Sequence, residues 1–302
     1  MSDSRTALVT GATGYIGAAL TPLLLDAGWT VRVLTRDPAG LAGHPWAGDV
    51  EVVIGAAEDP GVLAKAATGV NVAWFLIHSM NSDFDYAEHE RAIAEQFGAA
   101  CADADVARIV YLGGLGPTDD TSVHLRSRHV VGETLMASGV PVAALRAGMV
   151  VGAGSASYDL MRTAARLPVI VAPDWLDHLV QPIALADALH YLVAAADLET
   201  DVSRWFDIGG PDVLSYRQLL AVYAEAAGLR RRPVVTVPVL MPRTAALWAG
   251  IVAPRPASLV RGLLESLQHD MVAHEHDLDA LVGAPPGGAA TFRESVERAV
   301  GG

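Results

Sequence analysis

The chain has 302 residues, 52% of them apolar and 18% charged, enough to bury a substantial core in one large α/β domain or a domain with an appended lobe. Acidic residues outnumber basic ones by 34 to 21, for a formal charge of −13. Such a surface repels a phosphate backbone, which argues against nucleic acid as a direct partner.

The first half alternates short β-branched runs with longer helical patterns. Thr6–Thr10, Thr30–Leu34, Val50–Ile54, Val72–Ile77, Arg108–Leu112 and Val142–Leu145 read as strands. They are near-continuous apolar runs, as expected of parallel strands covered on both faces. Helices are predicted around Tyr15–Ala27, Pro60–Ala67, Asp85–Ala104 and Ser122–Ser138. Repeated β-α-β units with right-handed crossovers predict an α/β fold, a Rossmann-type doubly wound parallel sheet with helices on both faces. Pro22 falls inside the first helix, where it removes a backbone hydrogen bond and should bend the axis.

After Arg146 the pattern loosens. Gly148, Gly152 and Gly154 punctuate a loop, Ser157–Arg166 looks helical and Gln181–Ile183 extended. Asp187 is placed to cap a helix running to Ala196, and Trp205–Ile208 is a strand ended by Gly209, Gly210 and Pro211. Ser215 and Gln218 form a capping-box pair opening a helix through Ala227. No linker-like composition divides the halves. Residues 1–150 are therefore expected to form the nucleotide-binding core, and 151–302 a smaller C-terminal substrate lobe whose segments return to it.

Cys101 is the only cysteine, which excludes an intrachain disulfide and a multi-cysteine metal site and points to a buried structural thiol. The opening MSDSRTALVT lacks the basic segment and long apolar run of a secretion signal, so a cytoplasmic location is expected. Val234–Pro254 is strongly apolar, with Arg243 its one charge, but Pro238, Pro242 and Gly250 interrupt it. It reads as a buried lobe or the wall of an apolar pocket in preference to shallow membrane contact, and no membrane insertion is expected.

Gly11-Ala12-Thr13-Gly14-Tyr15-Ile16-Gly17 follows the first strand directly and opens the first helix. Gly11 permits the tight turn, Gly14 lets backbone amides approach a pyrophosphate, and Gly17 lets helix and strand pack closely. The helix N-terminus then faces the phosphates with its partial positive charge. This context predicts a dinucleotide site that also takes in Thr13, Tyr15 and Ile16. The end of the second strand selects between cofactors, a carboxylate suiting the ribose 2′-hydroxyl of NAD and a cation the 2′-phosphate of NADP. Here Thr35 stands in the acidic slot and Arg36 follows it, so NADP(H) is expected, with NAD(H) possible. Arg32 is a second candidate cation or a surface group, and Asp37 a turn or cap residue before Pro38.

On these residues the chain resembles the atypical, NmrA-like branch of the extended short-chain dehydrogenase/reductase superfamily over most of its length. The matching pieces are TGATGYIG at Thr10–Gly17, VRVLTRDP at Val31–Pro38, YLGGLG at Tyr111–Gly116, LRAGMVVGAGSAS at Leu145–Ser157, QPIALAD at Gln181–Asp187 and FDIGGPD at Phe206–Asp212. Within that branch it looks most like a subgroup described as nucleoside-diphosphate-sugar epimerases. The expected cofactor contacts are completed by Ile77, His78, Gly113, Arg128, Ala147, Gly148 and Met149.

Typical members of the superfamily carry a Ser after the fifth strand and a Tyr-x-x-x-Lys on the next helix. This chain departs from all three: its serine region reads Tyr111-Leu-Gly113-Gly114-Leu-Gly116, and His124 and Arg128 stand at the Tyr and Lys positions. Four-residue spacing puts both on one helical face. Arg128 can hold ribose hydroxyls but cannot exchange protons near neutrality, whereas His124 can, with a pKa that a nearby Arg pushes down. The pair is therefore either catalytic, with His124 protonating a carbonyl oxygen, or a support for the cofactor. His78 and Ser79, at the end of the fourth strand, lie near the cofactor and are a second catalytic candidate; His78 is read in preference as binding by backbone and holding a loop by side chain. Tyr158 either lines the substrate side or packs. His269, His274 and His276 with Asp270, Glu275 and Asp277 match no closed metal site and read as a solvated face, so no metal is expected.

The leading expectation is an NADPH-dependent oxidoreductase acting on an apolar carbonyl, enone or quinone. Loss of the Ser and Tyr favours an opposing class, an inactive NADP(H)-binding redox sensor or regulatory protein. The subgroup suggests a third, a sugar-nucleotide epimerase, although only Arg162 and Arg166, isolated in the lobe, offer themselves to a substrate diphosphate.

Overall fold

Successive residues of a strand point to opposite faces of a sheet, and this alternation sets the layering of the molecule. A computed structural model describes residues 5–78, 86–116, 123–237 and 267–301. On β1 (Thr6–Thr10), Ala7 and Val9 enter one apolar core and Leu8 the other; on β4 (Val72–Phe75), Val72 and Trp74 part from Ala73 and Phe75 in the same way. Strands buried on both faces are what a parallel sheet requires. β1, β2 (Thr30–Thr35), β3 (Glu51–Ile54), β4, β5 (Arg108–Gly114), β6 (Val142–Ala147) and the later β11 (Arg204–Ile208) form a seven-stranded sheet in the order β11-β6-β5-β4-β1-β2-β3. Every pairing in it is parallel.

One face is covered by α1 (Tyr15–Asp26), α6 (Leu185–Ala194) and α8 (Asp277–Val282), through Leu20, Leu24, Leu189, Leu192 and Leu278. The other is covered by α2 (Pro60–Ala67), α3 (Tyr86–Asp103) and α4 (Val123–Met136), through Leu63, Ile93, Phe97, Val131 and Leu135. The chain leaves β1 for β2 on one side and resumes at β4 on the other. That reversal opens a crevice above the carboxyl ends of the strands, where the doubly wound fold binds ligands.

A third apolar cluster gathers Met149, Tyr158, Leu219, Tyr223, Phe292 and Val296 in a smaller lobe. It is built from α5 (Ala156–Ala164), α7 (Tyr216–Ala226), α9 (Phe292–Gly301) and three two-stranded pairings: β7 (Val150–Val151) with β10 (Ile183–Ala184), β9 (Leu179–Val180) with β12 (Leu214–Ser215), and β8 (Ile170–Pro173) with β13 (Val234–Val237). Ser215 and Gln218 make the expected capping box on α7. The segment after residue 270 returns to the main sheet. Ala273 N donates to Gln181 Oε1 at 2.9 Å, His274 N to Asp207 Oδ2 at 2.9 Å, and Asp207 N to the Glu275 carboxylate. Asp270 accepts from Leu179 N and His178. The face is exposed at Asp270, His274, His276 and Asp277, as read from sequence, and its acids also fasten the returning segment.

Other expectations are corrected. Asp187 is not a cap: α6 starts at Leu185 with Ala184 as its N-cap, and the buried Asp187 carboxylate accepts from Ala290 N at 2.8 Å. Its partner lies 103 residues away, beyond any local pattern. As expected, α1 holds Pro22 inside it and runs on to Asp26. β5 runs on through Gly113 and Gly114, which pair with Arg146 and Ala147. Val234–Val237 of the apolar stretch forms β13, and residues 238–254 lie outside the described residues. Among the described residues, no helix is long and apolar enough to cross a membrane.

Candidate cofactor and active site

The glycine-rich turn has the conformation its sequence implies. Gly11 takes φ +69°, a left-handed value that side chains disfavour, and a Cβ there would lie 2.6 Å from Leu76 O. A Cβ on Gly17 would strike Gly11 O and Ala12 Cα, because α1 crosses β1 closely at that point. Gly14 differs. It is the N-cap of α1 in extended backbone, and a Cβ on it would meet only Gly11 O, at 3.1 Å, with open space elsewhere. That open space is a cleft of about 500 Å³ at the reversal point of the sheet.

The cleft has two ends, on opposite sides of β1. On the β2 side it is lined by Thr35, Arg36 and Asp37, and Asp37 Oδ1 accepts from Ala39 N at 2.9 Å, capping a short 3₁₀ turn. Arg36 is exposed and carries no ion pair among the described residues. Arg32 does not reach the cleft: its guanidinium is held by Glu51 Oε2 at 2.9 Å and by the carbonyls of Ala66 and Thr68. On the β4–β5 side the lining is Ile77, His78, Leu112 and Arg128. Thr13, Tyr15 and Ile16 line the middle with the three glycines. A cradle that a Cβ would fill, an unpaired cation and an open helix N-terminus fit a dinucleotide phosphate.

The remaining expected contacts sit further along the strand ends, outside this lining. Ala147 O accepts from Leu115 N at 2.8 Å, and Met149 O from Ile183 N at 3.0 Å. Gly113 lies under Trp205 and Tyr111, and Gly148 under Gln181 O. Tyr158 is buried edge-on against Tyr223, 5.9 Å between ring centroids. Cys101 is buried, which pushes its thiol up to about 12 and leaves it unreactive. Ser79 lies outside the described residues.

At the β4–β5 end, five polar side chains from the end of β4, α3 and α4 converge. His78, just beyond β4, brings Nδ1 to 3.0 Å from Glu90 Oε1 on α3, and Ser127 Oγ on α4 donates to Glu90 Oε2 at 2.6 Å. The His78 and His124 rings lie 5.2 Å apart. Arg128, one helical turn beyond His124, reaches toward Leu112 O at 3.4 Å, and Tyr111 Oη donates to Arg128 O at 2.9 Å. Glu90 and Ser127 were not singled out from the sequence. The available signal was register: Glu90 leads the buried face continued by Ile93, Ala94, Phe97 and Cys101, and Ser127 that of Val131 and Leu135. A carboxylate at the head of an apolar stripe has to find partners.

Electrostatics at this end favour neutral imidazoles. Burial, the Arg128 charge and His78 push His124 down to about 3. Burial and Arg128 likewise outweigh the Glu90 contact at His78 and hold it at about 4. Burial alone would raise Glu90, but the hydrogen bond from His78, the Arg128 charge and the Ser127 hydroxyl keep it ionised, down to about 2.

These shifts predict acid sensitivity. Unfolded, each histidine gains a proton near pH 6.5; folded, neither does until much lower pH, so the unfolded state binds more protons in between and stability falls as pH falls. At pH 5.5 the loss should be roughly 1.5 kcal/mol for each of the two. Urea unfolding at pH 7.5 and 5.5 checks this: His124→Phe should remove about half of the pair's contribution, and an unchanged difference would mean that His124 is protonated in the fold.

Residues 11–162 match a family described as NAD(P)H-binding. Among curated proteins, a ceramide reductase of Caulobacter vibrioides is 30% identical over 54% of this chain and 52% of its own length. A 3β-hydroxysteroid dehydrogenase/Δ5→4-isomerase of Mycobacterium tuberculosis is 31% identical over 37% of this chain and 26% of its own. The chain thus spans between a quarter and a half of the length of these two relatives. Among solved structures, the triphenylmethane reductase of Citrobacter sp. complexed with NADP(H) superposes with a TM-score of 0.73 at 18% identity, covering 97% of this chain and 99% of that one. A nucleoside-diphosphate-sugar epimerase of Staphylococcus aureus gives 0.73 at 17%, over 97% and 100%. Both share the fold. With the match covering just over half of the sequence, from the glycine-rich turn into α5, the chain belongs to this NAD(P)H-binding family.

Proposed function

We propose that this protein is an NADPH-dependent oxidoreductase that reduces an apolar carbonyl, enone or quinone. One observation carries the reading: a single cleft joins Arg36, without an ion pair among the described residues, at one end to His78 and Arg128 at the other, where the His124 ring lies 5.2 Å from that of His78 and both imidazoles are held neutral. Residues 1–150 hold the cofactor in this reading, and the lobe of residues 151–302 supplies the substrate side. The turn at Gly11–Gly17 holds the pyrophosphate, Arg36 the 2′-phosphate, and His78 and Arg128 the nicotinamide half. When bound, NADPH supplies the hydride. His124 serves as a neutral acid: its N–H points a dipole at the substrate oxygen and yields a proton as charge builds there. A neutral imidazole suits a site beside Arg128, because a second cation would be repelled.

The vacant Ser and Tyr slots support a second reading, an NADP(H)-binding regulator without turnover. The epimerase reading has less support, because Arg162 shares its charge with Asp159 at 3.2 Å and Arg166 has no Lys or Arg next to it in the sequence with which to form a diphosphate cluster.

Two measurements test the proposal. Arg36→Ala should weaken NADPH by about tenfold to a hundredfold and leave NADH unchanged, as expected for one charge-assisted contact to the 2′-phosphate. Equal losses by calorimetry would give Arg36 a structural role instead. A screen of aldehydes, enones and quinones should then show sustained NADPH oxidation by one class. Micromolar binding with no turnover on any of them replaces the enzyme with the regulator.

A further inference from the structure

His78 has one ring nitrogen engaged and one left over. Nδ1 meets Glu90 Oε1 at 3.0 Å, and Nε2 is buried with no hydrogen-bond partner. An ionised carboxylate only accepts, so the proton between them belongs to Nδ1, and Ser127 Oγ donates to the second oxygen at 2.6 Å. With the ring neutral, Nε2 is then a bare acceptor. A buried acceptor without a donor is costly, and its cost is relieved when a ligand brings one. Glu90 and Ser127 are 3% and 2% exposed, so the arrangement is built into the packing of α3 against α4 and does not float at the surface.

We propose that Ser127 and Glu90 lock His78 as the Nδ1–H tautomer, so that Nε2 accepts a hydrogen bond from a hydroxyl of the nicotinamide-side ribose. Glu90 and Ser127 are positioning residues in this scheme, and His78 makes the contact through its side chain. Placement supports the choice of ribose. His78 and Arg128 lie on the β4–β5 side of β1, and Arg36 on the β2 side, so a dinucleotide that spans the cleft with its 2′-phosphate at Arg36 brings its other half to His78. The carboxylate also balances Arg128, keeping this end of the cleft near zero net charge while both imidazoles stay neutral. The inference rests on the cofactor assignment above but not on turnover.

The test has a ligand-free arm and a binding arm. Nitrogen-15 spectra of histidine-labelled protein should show His78 protonated at Nδ1 and bare at Nε2. Ser127→Ala should loosen that preference without the loss of a buried charge, and Glu90→Gln should loosen it further. A His78 protonated at Nε2, or a tautomer unmoved in both variants, overturns the lock. In calorimetry, His78→Phe should weaken NADPH about tenfold, as for one neutral hydrogen bond, and leave adenosine 2′,5′-bisphosphate unchanged, because that ligand lacks the second ribose. Equal losses for both ligands, or none for either, overturn the ribose contact. A protein that passes both arms but reduces no substrate leaves this inference standing and removes the reductase.

Discussion

Gly14→Val should abolish dinucleotide binding, by roughly 10²-fold or more, and leave the protein folded. The backbone at Gly14 is extended, with φ −76° and ψ 167°, so valine adopts it without strain. Its Cβ would crowd only Gly11 O, at 3.1 Å. The rest of the side chain would project into the cleft, where backbone amides at the start of α1 have to come within hydrogen-bond reach of a pyrophosphate. Gly17 makes the contrast. A Cβ there drives into Gly11 O and the Ala12 backbone, so substitution at Gly17 attacks the packing of α1 on β1 before it affects any ligand. The checking measurement is calorimetry with NADPH beside a circular-dichroism melt. Undiminished NADPH affinity in a folded Gly14→Val protein would remove this turn from the cofactor site.

His124→Phe carries the second large effect. It should spare NADPH affinity and slow turnover by roughly 10²–10⁴-fold on an aldehyde or enone. The phenyl ring keeps an aromatic group beside His78 but offers no N–H. Because the imidazole stays neutral down to a pKa of about 3, the wild-type rate should carry no inflection from this group between pH 6 and 8. Arg128→Met should behave in the opposite sense, weakening the cofactor, since its guanidinium lines the cleft. A quinone is a poor substrate for this comparison, because water can deliver its proton afterwards. Single-turnover reduction at saturating NADPH isolates the step. A His124→Phe rate equal to wild type there would end the proton-donor role.

Local chemistry makes much of this fold legible in the amino-acid sequence. β1 and α2 have the boundaries read from sequence, because unbroken apolar runs and the Asp59-Pro60 start are signals held within a few residues. The glycine turn is legible for the same reason. What escapes is chemistry between distant segments. Asp187 looks like a helix cap from its neighbours, yet its partner is Ala290. Arg32 looks free until Glu51 and the carbonyls at the end of α2 claim it. Glu90 resembles one more acid on a charged helix, among Glu88, Arg91 and Glu95, and only the meeting of α3 with α4 and the end of β4 reveals its partners. Gly113 and Gly114 look like the point where a strand stops and are strand, because pairing with β6 holds them extended.

The Glu275 carboxylate on Asp207 N has a bearing on how molecules of this protein behave toward one another. β11 is the last strand of its sheet, and its outward backbone groups would otherwise invite a strand from a second molecule. A side-chain carboxylate takes the Asp207 amide, and Asp207 in turn holds His274 N and Arg146. Arg204, on the same strand, is anchored to Asp277 at 2.8 Å. The returning segment therefore closes this edge with charge and side chain where a neighbouring backbone would template growth. A chain that lost its hold on this segment would expose an open strand margin and become prone to edge-to-edge self-association.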